Sequence, residues 1–174
     1  FDQGHYLINF KQISISQNDI TQIVIDIGHI DSLFSISKLL FLPNLQFSTP
    51  NYINENKILC KGMFHPSIGF NRSIKNDINF DGNIILTGPN GSGKSTIVKG
   101  IGLCVLFSQT ITLVNAEYAN IPIFSYINTY LNIPDCQGKE SLFQAELRRC
   151  LYNIKKIQSL SSNQKSFLLM MWEI

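Results

Sequence analysis

The chain has 174 residues, of which 44% are hydrophobic and 15% charged, and its formal net charge is +2. This length suits one domain with an appended piece, and the composition indicates an ordered body with a substantial core. A net charge this small excludes a nucleic-acid surface that depends on overall charge alone. The four cysteines include no C-x-x-C pair, so we expect reduced and mostly buried thiols rather than a zinc site or a disulfide framework.

The first predicted element is a helix that begins near Asn18 or Asp19, either of which is a suitable N-cap. Apolar residues recur at helical spacing over residues 20–40, and Pro43 interrupts the pattern. We therefore predict one helix that stops before this proline.

A loop rich in Pro, Asn and Ser covers residues 43–56 and marks the internal boundary of the chain. We assign residues 1–45 to the end of a helical domain and residues 46–174 to a second domain. Because the chain starts without methionine and stops next to an apolar run, we expect it to be a piece of a longer protein.

The second predicted domain opens with a short strand over residues 57–60 and a turn over residues 64–66. Residues 67–81 are polar and are predicted to form a loop. The apolar run Ile84-Ile85-Leu86 then predicts a buried strand.

The next segment fits the phosphate-binding pattern G-x-x-x-x-G-K-[ST], with a predicted strand before it and a predicted helix after it. The alternative is a glycine-rich turn with a chance lysine, which this context disfavours. We therefore predict that a nucleoside triphosphate binds to Gly88, Pro89, Asn90, Gly91, Ser92, Gly93, Lys94, Ser95 and Thr96.

Each part of this loop has a physical task. Glycines allow the backbone N–H groups to point at the phosphates, and the helix N-terminus adds partial positive charge. Lys94 is predicted to contact the β- and γ-phosphate oxygens, and the Ser95 hydroxyl is predicted to bind Mg²⁺.

Four further elements follow the loop. The apolar stretch over residues 97–114 predicts a helix buried on the sheet. It is not predicted to cross a membrane, because polar residues interrupt the ~20-residue apolar span that a bilayer requires. Residues 121–127 predict a strand, and residues 141–159 predict an amphipathic helix. Residues 167–171 predict a central strand buried on both faces. The inward residues of the amphipathic helix are predicted to be Leu142, Ala145, Leu147, Leu151 and Ile154.

Strands that alternate with helices indicate an α/β fold with a mostly parallel central sheet flanked by helices, preceded by a short helical segment. Together with the phosphate-binding loop, this predicts a P-loop NTPase.

The order of several motifs resembles the MutS family of DNA mismatch-repair proteins. In that family an aspartate-and-serine helix, a Gly-x-His-Pro turn and an Asn-Asp-Ile turn precede the phosphate loop. The matching segments are residues 31–37 (DSLFSIS), 62–66 (GMFHP), 76–78 (NDI) and 87–90 (TGPN).

The resemblance continues downstream of the phosphate loop. Residues 114–116 (VNA) resemble the family's Val-Pro-Ala, and residues 138–146 resemble its Gly-x-Ser-Thr-Phe-x-x-Glu segment. The pair Trp172-Glu173 falls where the family has Asp-Glu. The resemblance covers roughly residues 20–174 and implies an ABC-type ATPase-like fold.

The resemblance also implies roles for individual residues. Ile74 and Asn76 would lie beside the adenine, although Asn-Asp is also an ordinary turn pair. Ser141 would face the γ-phosphate held by a second subunit, although it can equally be a helix N-cap. Glu173 would orient the attacking water and act with Lys94 in catalysis.

Three positions depart from the family pattern. Gly91-Ser92 stands where the family usually has Met-Gly, and Tyr126 stands where it commonly has arginine. Trp172 replaces the aspartate that holds Mg²⁺ through water, and an indole cannot do that. We therefore expect a divergent member with weak hydrolysis, unless the last residues are a sequencing or truncation artefact.

The resemblance thus implies the ATPase domain of an intracellular MutS-like mismatch-repair protein, which hydrolyses ATP to ADP with Mg²⁺ and controls a dimeric DNA clamp. Mismatched or damaged duplex DNA would bind through modules outside this chain, two ATPase domains would form a homo- or heterodimer, and no membrane is involved. One alternative is an ABC or SMC-type ATPase, which the missing Leu-Ser-Gly-Gly-Gln signature disfavours. Another is a nucleotide-binding module that does not hydrolyse ATP.

Overall fold

The computed structural model describes residues 17–41, 47–68, 72–131 and 142–170. The chain divides into two compact units, residues 1–42 and residues 43–174. In the first unit, helix α1 spans Gln17–Leu40, which confirms the predicted helix. Asp19 in its first turn and Lys38 in its last turn complement the helix dipole. None of the side chains of α1 is buried.

The second unit contains a mixed four-stranded sheet. In spatial order the sheet comprises β1 (Asn51–Ile53), β4 (Tyr118–Pro122), β2 (Lys57–Met63) and β3 (Asn76–Asp81). Strand β2 runs antiparallel to both β3 and β4, whereas β1 and β4 are parallel. The prediction of a mostly parallel sheet is therefore wrong for these strands, because a turn rather than a crossover helix leads from β2 to β3.

Strand β2 confirms the predicted strand over residues 57–60 and extends it by three residues. The predicted turn after β2 is also present, with the Ile68 N–H donating to the His65 carbonyl over 3.1 Å. The prediction of a loop over residues 67–81 is wrong for its last six residues, which form β3. Ile78 points into the core and Phe80 is half-buried, and this alternation with polar residues gives the strand its buried face.

A second, two-stranded sheet consists of β5 (Tyr126–Tyr130) and β6 (Ser166–Met170), which run parallel. The predicted single strand over residues 121–127 is therefore wrong, since β4 and β5 belong to different sheets. The break between them follows from Gln109, whose side-chain amide donates to the Phe124 carbonyl (2.9 Å) and whose Oε1 accepts from the Phe124 N–H (2.8 Å). These two bonds occupy the backbone groups that a continuous ladder would need.

Strand β6 confirms the predicted strand at the end of the chain, up to Met170. Its burial differs from the prediction, because all five residues are half-buried and its partner in the described part of the chain is β5. The ring of Phe167 lies 5.3 Å from that of Phe124 and packs against the main core. Lys165 donates hydrogen bonds to the carbonyls of Asn54 and Glu55 and so ties the start of β6 to the β1–β2 connection.

Helix α2 spans Lys94–Thr110 and packs on the four-stranded sheet. It confirms the helix predicted over residues 97–114, but it begins three residues before and ends four residues before the predicted bounds. Thr112, with φ of 56°, turns the chain after the helix. Leu113 and Val114 are therefore buried in the core and do not extend the helix. The core between α2 and the sheet comprises Ile58, Cys60, Met63, Ile78, Ile101, Cys104, Val105, Val114, Ala116, Ala119, Ile121 and Phe124.

The prediction of a buried strand at Ile84-Ile85-Leu86 is wrong. Residues 83–89 form neither helix nor strand, and these three side chains are 47%, 90% and 47% exposed. Asp81 already pairs with Lys57, the first residue of β2, so β2 has no further residue to pair with the chain beyond Asp81.

Helix α3 spans Leu142–Gln158 and confirms the predicted helix, but three of the residues predicted to face inward do not. Leu147, Leu151 and Ile154 are each about half exposed, at 50%, 49% and 50%, whereas Asn153 is buried. The Tyr126 hydroxyl on β5 donates to Asn153 Oδ1 over 2.9 Å, so a polar contact sets the inward face of the helix. Ala145 is half-buried, and the side chain of Leu142 lies outside the described residues. No helix in the described ranges is long and apolar enough to cross a bilayer.

Candidate functional site

The phosphate-loop residues lead directly into α2. Gly91 and Gly93 have φ angles of 78° and 88°, which side chains with a Cβ adopt only at a cost. A Cβ at either position would meet no atom within 4 Å, so backbone conformation rather than crowding requires glycine here. The loop surface is therefore left open for a ligand.

The N-terminus of α2 is suited to an anion. Gly93 is its N-cap and supplies no side-chain hydrogen bond, and the first turn contains no acidic residue. The Ile97 N–H donates to the Gly93 carbonyl over 3.0 Å, so the N–H groups of Lys94, Ser95 and Thr96 precede the first helical bond. These unpaired donors and the helix dipole together favour a phosphate at this end.

Lys94 folds back over the loop. Its ammonium donates to the carbonyls of Gly88 (2.5 Å) and Pro89 (2.7 Å), and the Ser92 N–H also donates to the Pro89 carbonyl (3.3 Å). The positive charge is thus held among the loop residues, where a phosphate oxygen can replace a carbonyl as its partner. Ser95 is exposed, so its hydroxyl is free to reach a cation that accompanies a phosphate.

The structure brings Ile74 and Asn76 together, since the Asn76 side-chain amide donates to the Ile74 carbonyl over 3.0 Å. The Ile74 side chain is 79% exposed. Beside it, Lys75 and Glu117 form a salt bridge of 2.5 Å. The role of this segment next to an adenine stays a prediction.

The remaining predicted site residues, Ser141 and Glu173, lie outside the described residues, as does Trp172. Helix α3 starts immediately after Ser141, and β6 ends three residues before Glu173. The roles implied for these three residues therefore stay predictions.

Asn115 is a positioning residue for which the sequence motifs predict no role. Its buried side-chain amide donates to the carbonyls of Phe64 (2.5 Å) and Gly100 (3.1 Å), and its backbone carbonyl accepts from the Phe64 N–H (3.0 Å). These bonds tie the turn after β2 to the helix that carries the phosphate loop. The available signal was a polar residue between Val114 and Ala116, at a position where the resembling family has proline.

Comparison with known proteins places the chain in a family. The profile of MutS domain V matches residues 84–174, which is just over half of the chain. The DNA mismatch repair protein MutS of Pelotomaculum thermopropionicum is 30% identical over 149 residues, which cover 80% of this chain and 16% of that protein.

Two further relatives have other names. The DNA mismatch repair protein MSH3 of Debaryomyces hansenii is 28% identical over 152 residues, covering 81% of this chain and 15% of that protein. The endonuclease MutS2 of Lactococcus lactis is 36% identical over 126 residues, covering 70% and 16%. The chain spans about one sixth of the length of these relatives. From the profile match and these identities, we conclude that the chain belongs to the MutS family.

Proposed function

We propose that this chain is the ATP-binding module of a MutS-like DNA mismatch-repair protein. The observation that carries the proposal is the open N-terminus of α2, which combines a glycine loop, an uncapped first turn and the Lys94 ammonium. Membership of the MutS family supports the same assignment.

The residues present fit a nucleoside triphosphate with Mg²⁺. The first-turn N–H groups would hold phosphate oxygens, and Lys94 would exchange two neutral carbonyl partners for charged oxygens, which form stronger hydrogen bonds. The Ser95 hydroxyl would be a ligand of Mg²⁺, which would neutralise phosphate charge when bound.

The test is an equilibrium titration of the chain with Mg-ATP. Lys94→Ala should weaken binding about 10-fold or more, because it removes a charge-assisted hydrogen bond. Lys99→Ala is the matched control, since Lys99 is an exposed lysine on the same helix outside the loop, and its affinity should stay within about twofold. Equal affinity in the wild-type and Lys94→Ala chains would contradict the assignment.

In the whole protein we propose that nucleotide state controls a dimeric clamp on mismatched or damaged DNA. Two of the three relatives described above carry the name DNA mismatch repair protein, which supports this proposal. Within the dimer, Ser141 of one subunit would face the γ-phosphate bound by the other, and Glu173 would orient the attacking water.

A second candidate is a module that binds ATP without hydrolysing it, and Trp172 favours it. Without a carboxylate at this position, Mg²⁺ loses one of its two protein anchors. We expect phosphate release by the chain to be close to background and Trp172→Asp to raise it only in part. Robust turnover that Lys94→Ala abolishes would exclude this second candidate and show that the indole is tolerated.

A further inference from the structure

Two cysteines meet in the core beneath the phosphate-loop helix. Cys60 on β2 and Cys104 on α2 are each 1% exposed, and their sulfur atoms lie 3.7 Å apart. They are 44 positions apart in the sequence, and the segment between them contains the entire phosphate loop.

The surroundings keep the Cys104 thiol protonated at neutral pH. The contact with Cys60 and burial raise the pKa of the Cys104 thiol far above its usual range. A hydrogen bond from the Asn115 backbone N–H to the Cys104 sulfur acts in the opposite direction and lowers this pKa. Bulky disulfides cannot reach the sulfurs, so an oxidant has to be small and uncharged.

We propose that Cys60 and Cys104 are an oxidation site, at which a peroxide generates an intrachain disulfide that joins β2 to α2. The sulfurs already lie in contact at 3.7 Å and have to approach to about 2.0 Å to form the bond.

The chemistry balances with hydrogen peroxide as the oxidant. The Cys60 sulfur attacks one peroxide oxygen, the O–O bond breaks, and one water leaves with the thiol proton. The Cys104 sulfur, 3.7 Å away, then attacks the resulting sulfenic acid, the S–O bond breaks, and the second water leaves with the second proton. Two thiols lose two electrons in total, and the peroxide is reduced to two waters.

The cross-link would close a loop that encloses the phosphate-binding residues and would limit the freedom of the unfolded chain. We expect the melting temperature of the oxidised protein to rise by roughly 5–15 °C, since disulfides that close loops of this length are strongly stabilising when they fit the native packing.

The experiment treats the folded chain with hydrogen peroxide and maps the peptides without reduction. The expected product is a Cys60 peptide linked to a Cys104 peptide, with a loss of about 2 Da from the unlinked sum. The same link should form in a Cys150→Ser chain, which lacks the half-buried thiol on α3, and should be absent from a Cys60→Ala chain.

Three results would overturn the proposal. In the first, Cys60 and Cys104 both remain free thiols after a treatment that oxidises Cys150. In the second, either cysteine links to Cys136 or Cys150 instead. In the third, the mapped cross-link lowers the melting temperature, which would show that it does not fit the native packing.

Discussion

Helices α2 and α3 both pack in the second unit, but they are held by different kinds of contact. Helix α2 buries Ile101, Cys104 and Val105, whose spacing follows one helical face. Even its buried Ser108 is satisfied locally, since the hydroxyl donates to the Val105 carbonyl over 2.7 Å. Helix α3 buries Asn153 and leaves Leu147 and Leu151 half exposed.

This difference shows when hydrophobic periodicity predicts the inward face of a helix. For α2 the partner surface is the apolar sheet, so the apolar face is the inward one. For α3 the partner is β5, which offers the Tyr126 hydroxyl and the Thr129 carbonyl, and the latter accepts from Arg149 over 3.4 Å. A polar partner surface recruits a polar helix face.

The largest effect should come from the apolar contact of α2. Ile101→Ala removes a side chain that is 4% exposed and should lower the free energy of unfolding by about 2–5 kcal/mol, because a cavity remains in the core. Leu106→Ala, on the same helix but 42% exposed, is the control and should cost about 1 kcal/mol or less. Urea denaturation measures both free energies of unfolding. Similar losses in the two variants would contradict the claim that buried apolar contacts hold α2.

A smaller effect should come from the polar contact of α3. Asn153→Ala removes the acceptor of the Tyr126 hydroxyl and should cost about 1–2 kcal/mol, while Leu151→Ala should cost less. The cost of Asn153→Ala is limited because the substitution also removes Asn153 Nδ2, a buried donor without a partner in the described structure.

A double-mutant cycle with Tyr126→Phe sharpens this test. If the Tyr126–Asn153 hydrogen bond positions α3, the two changes should be coupled by about 0.5–1.5 kcal/mol. Additive effects, or a larger loss for Leu151→Ala than for Asn153→Ala, would show that apolar packing holds this helix after all.

The backbone of the predicted phosphate loop could be anticipated from sequence because the glycine pattern encodes backbone conformation directly. Glycines at positions 91 and 93 supply the positive φ angles, and Lys94 opens the helix as the motif requires. Local patterns also predicted α1, β2 and β6. Each of these is specified by residues that lie close together in the sequence.

The failures involve contacts between residues distant in sequence. The ladder of β2 ends where Lys57 meets Asp81, which leaves Ile85 unpaired and exposed, and no local property of the apolar run reveals this. The two bonds between Gln109 and Phe124 separate β4 from β5 across 15 positions. Hydrophobic periodicity contains no information about either of these long-range contacts.

The most direct test of the account is hydrogen–deuterium exchange of the chain with and without saturating Mg-ATP. We expect new protection of the amides in residues 88–97, where the loop and the first turn of α2 offer unpaired donors, and unchanged exchange in α3. The Lys94→Ala chain should lose most of this protection at the same nucleotide concentration. Protection that is absent from residues 88–97, or that lies in other segments, would contradict the claim that this loop binds the nucleotide.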